Sequence, residues 1–83
     1  MTNYAYLIHI YYKDARVTIE TNDVRIACEE LLQKAEENID ICVVDGFTGE
    51  VLAMCEDGKS ELNAEWTYLV LGYLMSTHWG GAN

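Results

Sequence analysis

The 83-residue chain contains no proline, only five lysines and arginines, one phenylalanine and two histidines. Each shortage narrows what the protein can do. Five basic residues against fourteen acidic ones give a formal charge of −9 and a pI near 4.3, a balance that repels nucleic-acid phosphates and anionic membrane surfaces. Direct binding to nucleic acid or membrane is therefore not expected. The longest late apolar stretch, about Trp66 to Met75, falls well short of the roughly 20 residues that cross a bilayer.

Chemistry-bearing residues are equally sparse. Neither His9 nor His78 has a His, Cys or carboxylate at a spacing that builds a metal site. The three cysteines, Cys28, Cys42 and Cys55, form an odd set without a C-x-x-C pair, and each sits in an apolar pattern where a reduced thiol behaves as a small hydrophobe. None has a base and an orienting group beside it in a recognisable arrangement. The sequence thus points to no catalytic residue, no metal and no cofactor. Because Met1-Thr2-Asn3-Tyr4 lacks a basic start and no cleavage-like site follows, a disulfide-free cytoplasmic protein is expected.

What is present is a folding chain. Hydrophobic residues make up 51% and charged residues 23%, the balance of a globular protein rather than a disordered one. The size suits one α+β domain over residues 1–79, with 80–83 as a short C-terminal tail. A chain this small buries only about 60% of its unfolded surface, so self-association is a common route to stability.

Periodicity supplies the elements. Tyr4 to Tyr12 is rich in aromatic and β-branched residues on both sides of a strand, and Arg16 to Glu20 alternates with Val17 and Ile19 inward, as an edge strand would. Thr21, Asn22 and Asp23 are candidate caps for a helix from Val24 to about Asn38, whose apolar side holds Val24, Ala27, Cys28, Leu31, Leu32 and Ala35. Asn38 suits a left-handed stop. Ile39 to Asp45 and Val51 to Cys55 form a hairpin through Asp45-Gly46-Phe47-Thr48-Gly49-Glu50, in which Asp45 and Thr48 can bond turn amides and Gly46 and Gly49 can take positive φ. Ser60 or Asn63 then caps a second helix from Leu62 to about Trp79, closed by Gly80-Gly81. The expected fold is a ββαββα domain: a four-stranded, mainly antiparallel sheet in the order 2-1-3-4, with two helices on one face. The other face is left with exposed apolar residues.

Three surfaces could carry function. The second helix is apolar on two sides: Leu62, Trp66, Leu69, Val70, Tyr73 and Leu74 suffice for the core, while Ala64, Tyr68, Leu71, Met75 and Trp79 form a second stripe nearly opposite. A homodimer, or another protein partner, would bury that stripe, with Gly72 allowing close approach. Glu29, Glu30, Glu36 and Glu37 form an acidic surface on the first helix. Its ordinary role is solvation, and its sharper one is to imitate phosphates and occupy a basic groove on another protein. The third possibility is a small-ligand pocket using Tyr6, His9 or Tyr11. A non-catalytic protein–protein interaction module, homodimeric through the second stripe, is the reading that the residues favour.

Overall fold

The computed structural model describes residues 3–76. The elements are β1 (Tyr6–Tyr11), β2 (Arg16–Thr21), α1 (Val24–Glu36), β3 (Asp40–Asp45), β4 (Val51–Glu56), β5 (Lys59–Leu62) and α2 (Ala64–Met75). The strands form one antiparallel sheet in the order β2-β1-β3-β4-β5. The fold is α+β, but the sheet has five strands where the sequence suggested four, and the element order is ββαβββα. The expected helical end at Trp79, together with His78, Gly80-Gly81 and the 80–83 tail, lies outside the described residues.

The additional strand comes from a turn. Asp57 and Gly58 both take positive φ, 53° and 76°, and they join Glu56 to Lys59 as a two-residue hairpin connection. Ser60 therefore lies in β5 instead of capping a helix, and Leu62 ends that strand rather than beginning α2. The cap is Asn63, whose side chain accepts the Trp66 amide at 2.8 Å. Its own amide donates to the Leu52 carbonyl at 3.1 Å, tying the start of α2 to β4.

The three polar residues before α1 divide the work of starting it. Asp23 is the N-cap and accepts the Arg25 amide at 2.9 Å, while Thr21 Oγ1 accepts the Asp23 amide and Asn22 Oδ1 accepts the Ala5 amide. At the other end Asn38 takes φ 59°. The Ile39 amide reaches the Lys34 carbonyl and the Asn38 amide the Ala35 carbonyl, the paired bonds of a Schellman stop.

Strand parity decides which side chains meet the helices. Register places Ile19, Ile8, Val43, Ala53 and Leu62 in one row, with Ile10, Ile41 and Cys55 in the next. These residues share a core with Ala27, Cys28 and Leu31 of α1 and Trp66 and Val70 of α2. Between Val43 and Val44 the ladder shifts, so that Val44 opposes Val51 and Leu52 is the additional residue. Leu52 and Ala53 are consequently both buried. Val17 has inward parity yet is 43% exposed, because β2 is the sheet edge.

Candidate functional site

Two large apolar surfaces remain outside that core. The first is the far side of α2. Trp66 and Val70 are buried, and the Trp66 ring meets Tyr6 edge-on at 5.7 Å between centroids. Nearly opposite on the helix, Tyr68 is 76% exposed, Leu71 50% and Met75 62%, and Ala64 is exposed as well. The separation of α2 into a packing stripe and an outer stripe is thus present in the structure. Trp79, the fifth member of the outer stripe, lies outside the described residues. A Cβ placed on Gly72 would meet nothing within 4 Å, so the helix backbone is open to approach at that point. Beside it, an apolar groove of about 290 Å³ runs between the helices, lined by Val24, Cys28, Tyr68, Leu69 and Tyr73.

The second surface is the other side of the sheet. Leu7, His9, Tyr11, Cys42, Val44 and Met54 have the parity opposite to the core, and none of them belongs to the cluster that the helices cover. His9 bonds Thr18 Oγ1 through Nδ1 at 3.0 Å across the β1–β2 pair, which orients the ring without a ligand. A depression of about 420 Å³ lies at one end of this face, lined by Tyr11, Asp40, Cys42, Met54 and Glu56 together with Ile41 and Cys55.

The cysteines fall on both sides of the sheet. Cys28 and Cys55 are buried, as core-like positions require, but Cys42 is half-buried on the open face. Burial raises the Cys28 thiol pKa; for Cys42 burial and then the nearby Glu56 carboxylate do the same. Neither is activated as a thiolate nucleophile. Tyr6, one of the proposed ligand handles, belongs to the covered face against Trp66, and burial followed by Glu65 and Asp45 raises its phenol pKa. It cannot share a pocket with His9 and Tyr11. Among the described residues no three His, Cys, Asp or Glu side chains converge to hold a metal ion, and no helix is long and apolar enough to cross a membrane.

The acidic surface divides in a similar way. Glu29, Glu36 and Glu37 are exposed, whereas Glu30 is half-buried and accepts from Lys34 Nζ at 3.1 Å. Lys34 is itself buried. Burial opposes its charge, but the hydrogen bond and charge of Glu30, joined by Tyr12 and Glu37, together outweigh that and raise the ammonium pKa. Glu30 therefore serves the fold of α1 more than an outer contact.

The β3–β4 hairpin closes on its own groups. Asp45 Oδ1 accepts the amides of Phe47 and Thr48 at 2.8 and 3.0 Å, and Thr48 Oγ1 accepts the Glu50 amide. The first two bonds hold the Asp45 carboxyl below its ordinary pKa. Gly49 takes φ 79°, but Gly46 does not take positive φ and instead donates its amide to the Ala5 carbonyl. Phe47 stands 66% exposed at the tip. Comparison with protein-family models, with curated proteins and with solved structures finds no match.

Proposed function

We propose that this chain is a small acidic protein–protein interaction module without catalytic activity, which pairs with a second copy of itself through the outer stripe of α2. The exposure of Tyr68, Leu71 and Met75 on one side of a helix whose other side is already packed carries this reading. Scattered exposed apolar residues are ordinary, but three on successive turns of one helix make a contiguous strip that water solvates poorly. An isologous helix pair buries the same strip on both copies, and the bare backbone at Gly72 permits a close crossing. Three free thiols suit a reducing compartment, and we place the protein in the cytoplasm.

The alternative, an acidic inhibitor that occupies a basic groove, rests on Glu29, Glu36 and Glu37, with Glu30 already committed to Lys34. The two readings respond differently to salt, since exposed charge contacts are screened and apolar ones are not. Light scattering of the wild type and of Leu71→Glu tests the preferred one. The variant should keep its circular dichroism spectrum and show a lower solution mass that is independent of salt. A folded variant of unchanged mass would remove the α2 interface.

A further inference from the structure

We infer that the depression on the open face of the sheet holds an arginine side chain of a partner protein, its stem over Cys42 and Met54 and its guanidinium beside Tyr11, Asp40 and Glu56. This goes beyond the α2 contact, lies on the opposite side of the molecule and stands or fails separately.

Strand register builds the site. Tyr11 pairs with Asp40, and Ile41 pairs with Cys55, so that the next residues along β3 and β4, Asp40 and Glu56, stand opposite each other. Cys42 and Met54 pair directly and have the same parity. An aromatic ring and two carboxylates thus border a floor of thiol and thioether. All five residues line one depression of about 420 Å³, within the size range of pockets that take small ligands or single side chains. The floor is half-buried, while Tyr11 and Glu56 are exposed at the rim.

The two carboxylates are not neutralised from within. Like charges at opposed strand positions repel, yet among the described residues neither Asp40 nor Glu56 has an ion pair. Arg16 and Lys59 stand at the two ends of the same row but pair with neither. Asp40 Oδ1 accepts the Asp57 amide at 3.1 Å, which fixes that carboxyl and leaves its other oxygen open. The field of Glu56 reaches the floor, where, after burial, it is the second cause that raises the Cys42 thiol pKa.

An arginine answers each of these features. Its aliphatic stem suits the apolar floor, and its planar guanidinium stacks on a tyrosine ring while offering a fork of donors that two carboxylates can share. A lysine ammonium is a more strongly hydrated point charge and uses that arrangement less fully. A bare metal ion lacks a third ligand, since no three His, Cys, Asp or Glu side chains converge among the described residues. Half-buried Leu7, His9 and Val44 continue the apolar face beyond the depression, so a protein that carries the arginine buries more than the pocket alone. The chain's charge of −9 draws such a basic partner from a distance.

The test follows the methionine methyl groups of the isotope-labelled wild-type chain by NMR while a short peptide, one arginine flanked by leucines, is added to millimolar concentration. The Met54 signal should shift and saturate, and that of Met75, on the outer stripe of α2, should stay in place. Replacing the arginine by citrulline keeps the shape without the charge and should weaken binding about tenfold, the equivalent of one charge-assisted hydrogen bond. Free arginine amide, which leaves Leu7 and Val44 uncovered, should also bind more weakly than the peptide. Glu56→Gln should weaken the peptide about threefold to fivefold. Glu29→Gln, Glu36→Gln and Glu37→Gln together remove three distant charges and should leave binding within about twofold at physiological salt. No movement of Met54, movement of Met75 in its place, or equal binding of the citrulline peptide overturns the site. Equal weakening by the α1 substitutions reduces it to attraction by net charge and overturns it as well. Equal binding of free arginine amide overturns the partner protein. Should Glu56→Gln unfold the chain, the citrulline comparison on the wild type decides the matter.

Discussion

The two faces of the sheet are made by the same strands and differ only in residue parity, yet one is closed and the other open. On the covered side Ile8, Ile10, Ile41, Val43 and Ala53 have almost no accessible surface. On the open side Leu7, His9, Cys42, Val44 and Met54 are half-buried, and none of them belongs to the cluster beneath the two described helices. Strand alternation therefore does not mark the inside of this protein, because both parities are apolar in β1 and β3. The helices mark it. Their limited number leaves a strand pattern suited to coverage on both faces with coverage on one, and that surplus is the physical basis for expecting a partner.

The sharpest way to break this comparison uses two adjacent residues. Ile8→Ala removes a fully buried side chain beneath the helices and should cost about 2–5 kcal/mol, a large part of the stability of so small a fold. Leu7→Ala, next to it on the open face, should cost well under half as much in an isolated monomer. Urea denaturation of both variants on a Leu71→Glu background compares them without the proposed α2 contact. Equal losses would mean that the open face is covered within the chain.

A smaller effect concerns β5, which carries Lys59 and Glu61 to the edge of the open face. Gly58 at φ 76° has open space around its Cβ position, so Gly58→Ala should cost only the conformational penalty, about 1 kcal/mol. A loss of several kcal/mol in the urea midpoint would show that β5 and the start of α2 depend on this turn cooperatively. An unchanged midpoint would show that β5 contributes little to either face.

That same strand shows where the sequence was legible and where it was not. β1 to β4 and α1 follow from composition and periodicity, and the order of the first four strands from placing the doubly apolar β1 and β3 at the centre of the sheet. The Lys59–Leu62 segment has no β-branched or aromatic residue, so its own composition argues against a strand. The available signal was Asp57-Gly58, the dipeptide that most favours a two-residue hairpin, standing directly after an apolar strand. Leu52 was illegible for another reason: its burial depends on a ladder shift opposite Val43 and Val44, which no property of β4 alone specifies. On α2 the angular separation of two stripes was readable, whereas the identity of what covers the outer one is not encoded in the helix that carries it.

The smallest expected effect separates acid sensitivity of a loop from acid sensitivity of the core. Asp45 ionises more readily in the folded chain than in the unfolded one, because the Phe47 and Thr48 amides donate to its carboxylate. Its stabilising contribution is therefore complete above the ordinary aspartate value of 3.8 and is lost as the pH falls through the lower folded value. Asp45→Asn keeps an acceptor oxygen but not the charge, so the variant should be less stable than the wild type at neutral pH. The difference in urea midpoint should narrow as the pH falls below 3.8, where the unfolded chain takes up the proton before the folded one does. A difference that stays constant over that range would mean that the charge on Asp45 adds nothing to the amide bonds.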